Sequence, residues 1–365
     1  MSQRGVVDWR RFVSQPHREN AGFQFASAHA GRFVLVTGAG GSIGSALVNA
    51  LVGAGLQRLL LLDTSEIGLS ELQRQLAKTH KNESIELGLG SIDDADFLDA
   101  LFSRHRVDLI YHAAAWKQVP LLESHPFSAV RNNALGTHTL VEAAIRGGVP
   151  KLVLISTDKA VNPSSIMGVS KRIAELAVVS QASCQMNAIR LCNVIGSSGS
   201  VVPQFLRQIA QREPVTVTDP QARRWFLTMH EAVEAILACG VSSQQGKILL
   251  PPVGETVRIL DLAQFLIRSS EDGGQVAYIG LRPGDKLTEQ LIFESERKVG
   301  MEGCLTVLET PRLSAGGLGA FIGELDDRIK LRDLPGMLRA IHSVIPEYIP
   351  SAKVCEQATS AAAHE

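Results

Sequence analysis

The chain has 365 residues, enough for one large or two modest domains with a substantial buried core. Its 36 basic and 37 acidic residues give no electrostatic reason to expect a nucleic acid or an anionic membrane as a partner. The 5 scattered cysteines predict neither a disulfide framework nor a metal site, and the absence of an apolar run of about 18 residues predicts no membrane span, so we expect a cytoplasmic protein.

The chain begins with a predicted leader, residues 1–30, in which VVDWRRFVSQ forms a short helix. A buried strand is predicted at residues 33–36, because FVLV is an apolar run. Gly38, Gly41 and Gly44 follow the strand directly, and an apolar pattern with helical spacing comes next. This order indicates a dinucleotide site, because glycine lets backbone N–H groups approach a pyrophosphate at the positive end of a helix.

The second predicted strand, residues 58–62, ends at Asp63. This aspartate lies about 20 residues after the glycine turn, where a carboxylate bonds both ribose hydroxyls and repels a 2′-phosphate. The sequence therefore favours NAD over NADP. Asp63 also suits the N-cap of the helix that follows, and the two roles are compatible.

Two further strands are predicted at residues 85–89 and 107–112. The candidates for cofactor contact after these strands are Ser91, Ile92, Ala113 and Ala114. His112 is interpreted as a packed histidine and not as a catalytic one. Asn132 and Asn133, early in the next helix, are interpreted as side chains that orient a neighbouring loop.

The fifth strand is predicted to start at Lys151 and to end in a polar tip, Ser-Thr-Asp-Lys, at residues 156–159. A helix is predicted over residues 165–180. Open α/β sheets keep their chemistry at the carboxyl ends of the strands, where this tip lies. Asp158 and Lys159 point to opposite sides of an extended chain, so both can face one ligand only if the backbone turns there.

With a sixth strand at residues 187–191, the alternation of strands and helices predicts an α/β fold. We expect a Rossmann-type, doubly wound parallel sheet with a smaller, mixed α/β C-terminal region that binds the substrate. The predicted divisions are a leader (1–30), an NAD-binding domain to which later segments return (31–195), a substrate-binding region (196–310), a helical appendage (311–350) and a disordered tail (351–365).

Six motifs carry a resemblance to a known family: TGAGGSIG (37–44), HAAAWKQVP (112–120), RNNALGT (131–137), STDKAVNPSSIMGVSKR (156–172), RLCNVIGSSGSVVPQF (190–205) and GLRPGDKL (280–287). Together they span most of the chain. The sequence resembles the polysaccharide-biosynthesis branch of the extended short-chain dehydrogenases/reductases, whose best-known members are UDP-N-acetylglucosamine 4,6-dehydratases. Thr-Asp-Lys followed by Ala-Val-Asn-Pro is specific to this branch.

The resemblance implies a lyase reaction on a nucleotide sugar. Hydride leaves carbon 4 of the hexose for NAD, Lys159 removes the carbon 5 proton, Asp158 protonates the departing hydroxyl on carbon 6, and hydride returns to carbon 6. Thr157 polarises the oxygen on carbon 4, and Lys171 holds the cofactor. We expect the pKa of Lys159 to be lowered, because burial near another cation favours the neutral amine.

Met167 and Lys171 are four residues apart and share a helix face. Short-chain dehydrogenases normally have Tyr and Lys at this spacing, and a thioether cannot act as a base. The proton on the carbon 4 hydroxyl must therefore leave by another route, for which we predict transfer through Thr157 to Asp158. Members of this branch with Met at this position are active.

The predicted site has three parts. The catalytic candidates are Thr157, Asp158, Lys159, Met167 and Lys171. The cofactor-binding candidates are Gly38, Gly41, Ser42, Ile43, Gly44, Asp63, Ser91, Ile92, Ala113, Ala114 and Lys171. The substrate-binding candidates are Lys117, Asn133, Asn193, Ser200, Val201, Arg258 and Arg282. The expected partners are a nucleotide sugar, with UDP-hexose favoured, and further copies of the chain in a homo-oligomer.

Two alternatives remain open. A sugar-nucleotide epimerase or oxidoreductase of the same superfamily needs only the hydride machinery, so the acid and base at the tip argue against it. A catalytically silent NAD-binding sensor is favoured by Met167, whereas the charged residues Asp158, Lys159 and Lys171 argue against it. The sequence also departs from the usual pattern at residues 116–118, where Trp-Lys-Gln replaces His-Lys-His, and this leaves the hexose open.

Overall fold

The computed structural model describes residues 22–79, 84–181, 184–270 and 273–362. The helix predicted in VVDWRRFVSQ lies outside these residues. The strands are β1 (Phe33–Thr37), β2 (Arg58–Asp63), β3 (Ile85–Leu89), β4 (Leu109–His112), β5 (Lys151–Thr157), β6 (Gln185–Leu191), β7 (Asn193–Val194), β8 (Val215–Val217), β9 (Arg223–Arg224), β10 (Phe226–Leu227), β11 (Ile248–Leu250), β12 (Val257–Arg258), β13 (Val276–Tyr278), β14 (Arg297–Glu302) and β15 (Leu305–Glu309).

The helices are α1 (Gly22–Ser27), α2 (Ser42–Leu51), α3 (Glu66–Thr79), α4 (Ala95–Arg104), α5 (Val119–Leu122), α6 (Pro126–Val130), α7 (Gly136–Arg146), α8 (Ile166–Val179), α9 (Val201–Ala210), α10 (Met229–Val241), α11 (Ile259–Arg268), α12 (Ala315–Lys330), α13 (Leu334–Val344) and α14 (Ala352–Ala362). A π-helical turn at Arg131–Leu135 precedes α7, and a 3₁₀ turn at Asp158–Ala160 follows β5. No helix of the described residues is long and apolar enough to cross a bilayer.

Nine strands form one sheet in the order β14-β15-β11-β6-β5-β4-β1-β2-β3. The strands from β11 to β3 pair in parallel, and β15 and β14 add an antiparallel edge. Strand β1 pairs with β2 on one side and with β4 on the other, so the direction of winding reverses there. This topology confirms the predicted doubly wound α/β fold and places a ligand crevice at the carboxyl ends of β1 and β4.

Strand β1 shows why the sheet needs helices on both faces. All five of its residues are buried. Val34 and Val36 pack in one core with residues of α2 and α10, and Phe33 and Leu35 pack in a second core with residues of α4 and α7. An apolar run of this kind is what a strand covered on both faces requires.

The second half of the chain forms a smaller unit and then returns to the main sheet. Strands β8 and β13 pair in parallel, and helices α9 and α11 share an apolar core with β8. Strands β11, β14 and β15 join the main sheet. Segments from the second half of the chain therefore contribute three strands to the sheet that the first half begins.

The C-terminal residues form three helices that pack over α8 in a common core. The tail from residue 351 onward was expected to be disordered, but residues 352–362 form α14. Val354 is fully buried, and Gln357 Nε2 donates a hydrogen bond of 2.9 Å to the Glu123 carbonyl. These contacts stabilise α14, which the composition of the segment alone did not predict.

Candidate active site

The glycine turn after β1 has the shape of a dinucleotide cradle. Gly38 has a φ of +67°, and a Cβ atom there would lie 2.6 Å from the Ala114 nitrogen. A Cβ atom on Gly44 would lie 2.1 Å from the Gly38 carbonyl oxygen. Gly41 caps α2 and has no side chain to bond the first helical N–H groups. The turn is therefore closely packed, and the N-terminus of α2 has no side-chain cap, which suits the binding of a pyrophosphate by the first helical N–H groups.

Asp63 lies beside this turn at the end of β2. Its Oδ2 accepts a hydrogen bond of 2.9 Å from the Gly40 nitrogen, and its Oδ1 accepts one of 2.9 Å from the Ser65 nitrogen. A carboxylate has about four acceptor positions, so it retains the capacity to bond ribose hydroxyls. The residues present therefore fit an NAD ribose. The predicted role of Asp63 as the N-cap of α3 is wrong, because Ser65 directly precedes the helix and its hydroxyl accepts a hydrogen bond of 3.0 Å from the Gly68 nitrogen.

Three further cofactor candidates, Ser42, Ser91 and Ile92, have side chains that already contact other residues of the protein. Ser42 Oγ donates to Ser198 Oγ at 2.8 Å and accepts from the Ser198 nitrogen at 2.9 Å, which joins α2 to the loop before α9. Ser91 Oγ donates to Asp93 Oδ1 at 2.5 Å. Ile92 is packed into the core, so only its backbone is available for a contact with adenine.

A cleft of about 650 Å³ opens beside the glycine turn, at the carboxyl ends of the strands. Its lining includes eleven predicted site residues: Ile43, Ala113, Lys117, Thr157, Lys159, Met167, Lys171, Asn193, Ser200, Val201 and Arg282. The volume is within the usual range for small-molecule sites. The structure therefore brings the cofactor, catalytic and substrate candidates to one place.

Two substrate candidates do not line the cleft. Asn133 is fully buried in the π-helical turn, and its amide bonds the backbone nitrogen and carbonyl of Trp116 at 2.8 and 2.9 Å. Its side chain fixes the loop that carries Lys117, which confirms the loop-orienting interpretation and corrects the substrate-binding one. Arg258 is paired with Asp261 at 2.8 Å and does not line the cleft, so its assignment to substrate binding is also corrected. His112 is also packed as predicted, between two threonine hydroxyls.

The backbone turns at the tip of β5, as a shared role of Asp158 and Lys159 requires. The 3₁₀ turn directs Lys159 Nζ to Asp158 Oδ1 at 2.9 Å and to Asn193 Oδ1 at 3.0 Å. Thr157 Oγ1 donates to the same Asp158 oxygen at 3.0 Å. Asp158 is fully buried and reaches the cleft through these two neighbours, because its own atoms do not line it.

The pKa of Lys159 is raised, and the expectation of a lowered pKa is wrong. Burial alone would lower it, but the negative charges of Asp158 and Glu289 outweigh both burial and the repulsion from Arg224. The sequence argument considered a neighbouring cation and did not include a second carboxylate. In the structure described, Lys159 is therefore an ammonium ion paired with the Asp158 carboxylate.

Helix α8 carries Met167 and Lys171 into the cleft. Its start is fixed by Ser165, whose hydroxyl accepts a hydrogen bond of 3.1 Å from the Gly168 nitrogen. A Cβ atom on Gly168 would lie 2.3 Å from the Lys159 carbonyl oxygen, so glycine permits close packing of α8 against the tip. Burial lowers the pKa of Lys171 to about 8, against the attraction of Glu175.

Glu289 is a component of the site that the sequence did not reveal. Its side chain is 4% exposed, and its Oε1 lies 3.9 Å from Lys159 Nζ. It stands 130 positions after Lys159 in the chain and just beyond the motif GLRPGDKL at residues 280–287. No local pattern distinguishes it from a surface glutamate, so only the fold brings it to the tip.

Comparison with known proteins places these motifs in a family context. A family model described as a polysaccharide biosynthesis protein matches residues 34–307. The capsular polysaccharide biosynthesis protein CapD of Staphylococcus aureus is 41% identical over 72% of this chain and 45% of its own length. UDP-glucose 4-epimerase of Rickettsia canadensis is 32% identical over 72% of this chain and 78% of its own. The chain thus spans about half the length of CapD.

A solved structure shows the same fold. The dTDP-glucose 4,6-dehydratase DesIV from Streptomyces venezuelae, solved with NAD bound, superimposes with a TM-score of 0.65 at 22% identity. The match covers 71% of this chain and 88% of that one.

Proposed function

The chain belongs to the polysaccharide biosynthesis protein family of extended short-chain dehydrogenases/reductases, and from this premise we propose that it is an NAD-dependent nucleotide-sugar 4,6-dehydratase. The observation that carries the proposal is the hydrogen bond between Lys159, which lines the cleft, and the buried Asp158. Elimination of water needs an acid for the leaving hydroxyl and a base for the adjacent proton. Epimerisation at carbon 4 needs neither.

The resting ion pair becomes that acid and base by movement of one proton. Transfer from Lys159 Nζ to Asp158 Oδ1 across their 2.9 Å hydrogen bond yields a neutral amine and a carboxylic acid. A substrate that closes the cleft removes water, and a low-dielectric environment favours the neutral pair. The amine would then take the carbon 5 proton, and the acid would protonate the hydroxyl leaving carbon 6. The reactive form therefore contains one proton shared by the pair.

Thr157 offers a route for the proton of the carbon 4 hydroxyl, which the Met167 thioether cannot accept. Its hydroxyl lines the cleft and donates to Asp158 Oδ1 at 3.0 Å. A proton from the carbon 4 hydroxyl of the sugar can pass to the threonine oxygen while the threonine proton moves to the Asp158 carboxylate of the resting ion pair. Lys159 must then release one ammonium proton to solvent, which leaves the same neutral amine and carboxylic acid for the elimination. This geometry supports the predicted relay without a tyrosine.

The glycine turn, Asp63 and Lys171 are the residues that would hold NAD. The chemistry that NAD supplies when bound is reversible hydride transfer, here at carbon 4 and carbon 6 of the hexose. Lys117 and Arg282, which also line the cleft, offer positive charge to the diphosphate of the substrate. We propose UDP-N-acetylglucosamine as the substrate, because the motifs around the tip resemble those of enzymes that act on it.

The test is incubation with UDP-N-acetylglucosamine and NAD in deuterated water, followed by NMR. We expect a 4-keto-6-deoxy product with deuterium at carbon 5. A product changed only in configuration would establish an epimerase instead, an alternative that the Rickettsia relative supports. Tight NAD binding with no turnover of any UDP-, GDP- or dTDP-hexose would refute both reactions and favour a sensor.

A further inference from the structure

Glu289 is a buried carboxylate with an unusual set of neighbours. Three cations surround it: Lys159 Nζ at 3.9 Å, Arg224 Nε at 3.7 Å and Lys286 Nζ at 3.4 Å. Lys286 directs a hydrogen bond of 2.7 Å to the Val161 carbonyl. Glu289 Oε2 is buried and accepts no hydrogen bond from the described residues. A buried carboxylate in this state calls for an explanation.

A small cavity of about 20 Å³ lies beside this carboxylate. Lys159, Arg224, Lys286 and Glu289 line it together with Ser164 and other residues of the same turns. A polar cavity needs about 10–15 Å³ to hold one water molecule, so it has room for a bridge between Glu289 and the ammonium groups. The carboxylate can thus act on Lys159 both by charge and through a bridging water.

We propose that Glu289 is a positioning residue that sets the place and the protonation state of Lys159. Lys159 Nζ lies 2.9 Å from Asp158 Oδ1 and 3.9 Å from Glu289 Oε1, so two carboxylates act on the same ammonium group. The other charged or titratable groups around Lys159 are Arg224, Lys286 and the Cys192 thiol. The significance of this role for elimination rests on the proposed function, but the charge of Lys159 can be measured without it.

The direction of the effect follows from the sign of the charge. An opposite charge within about 4–6 Å stabilises an ammonium ion by about 1–3 pK units. Glu289→Gln removes that charge and keeps the shape of the side chain, so the Lys159 pKa should fall by about 1–3 units. In the native protein this pKa lies above its ordinary value of 10.5.

The experiment is an NMR titration of protein labelled at the lysine Cε, with the Lys159 signal assigned by its loss in Lys159→Met. We expect a lower pKa in Glu289→Gln and an unchanged one in Asp261→Asn, a matched removal of an arginine-paired carboxylate outside the cleft. An unchanged Lys159 pKa in a folded Glu289→Gln protein overturns the proposal. If that variant does not fold, Glu289→Asp provides the test. Its shorter side chain holds the carboxylate further from Lys159, so the Lys159 pKa should fall by a smaller amount than in Glu289→Gln, and an unchanged pKa would overturn the proposal.

A kinetic readout separates this proposal from the proposed function. Above the Lys159 pKa the acid–base pair has lost its proton, so the alkaline limb of the kcat/KM profile should move to lower pH in Glu289→Gln. A fall in the Lys159 pKa in a protein without dehydratase activity would support Glu289 and refute the function. Dehydratase activity with the same alkaline limb in the native protein and in Glu289→Gln would support the proposed function and refute the role of Glu289.

Discussion

Replacement of Lys171 by Met should make the protein more stable while it weakens NAD binding. Lys171 is 4% exposed, and burial lowers its pKa from 10.5 to about 8. At about 1.4 kcal/mol per unit, this shift corresponds to a folding cost of roughly 3 kcal/mol. Methionine has a similar length, suits an apolar environment and has no charge to desolvate. At pH 7 we therefore expect Lys171→Met to raise the free energy of unfolding by about 2–3 kcal/mol.

The pH dependence gives the prediction its sign. The folded-state pKa lies below the unfolded one, so the unfolded chain binds more protons between about pH 8 and 10.5. Native stability gains from this group as the pH rises through that window, and the full cost is present below it. The advantage of Lys171→Met should consequently be largest at pH 7 and should shrink by pH 10.

Urea unfolding without NAD, at pH 7 and at pH 10, measures the gain in the free energy of unfolding and its dependence on pH. Calorimetry measures NAD affinity. Lys298→Met, at an exposed position of β14, controls for the change of residue type and should leave both unchanged within about 0.5 kcal/mol. A variant less stable than the native protein at pH 7 would refute the reasoning. An advantage that stays constant up to pH 10 would refute the assignment to charge.

Three further outcomes are expected. Arg190→Met should cost about 3–5 kcal/mol in urea unfolding, because the fully buried guanidinium pairs with two buried glutamates, which would be left to share the single Arg172 cation nearby; a cost below about 1 kcal/mol would contradict this. Gly44→Ala should weaken NAD binding at least tenfold by calorimetry, about 1.4 kcal/mol, since its Cβ would meet the Gly38 oxygen, whereas Gly323→Ala, with open space around it, should bind normally. Removal of residues 351–365 should lower the thermal midpoint, because Val354 is fully buried.

The fold was predictable where the sequence pattern is periodic. The strand at 85–89 and the helix bounded by Ser165 and Ser180 were found with the observed limits, because apolar runs and capping residues mark them. The tail could not be predicted in the same way. Helix α14 depends on contacts with Glu123, more than 200 positions earlier in the chain, and such contacts leave no local pattern.

Many residues that line the cleft could be predicted from the sequence, but the protonation state of Lys159 could not. The sequence motifs and the family resemblance that they carry predicted eleven residues that line the cleft. They did not identify the carboxylate of Glu289, and the predicted direction of the Lys159 pKa was consequently wrong. Protonation states depend on every charge within a few ångströms, and those charges arrive from distant parts of the chain.

The presence of Met167 bears on what Lys171 does. A lysine beside a catalytic tyrosine lowers the phenol pKa, but this site has no phenol to activate. Lys171 nevertheless remains buried at a cost of roughly 3 kcal/mol, with its side chain lining the cleft. A favourable contact with a ligand would offset the cost of burying the Lys171 charge. NAD bound at the neighbouring glycine turn would supply such a contact through its nicotinamide ribose. We therefore propose that Lys171 serves the cofactor and that Thr157, Asp158 and Lys159 handle the protons of the proposed elimination.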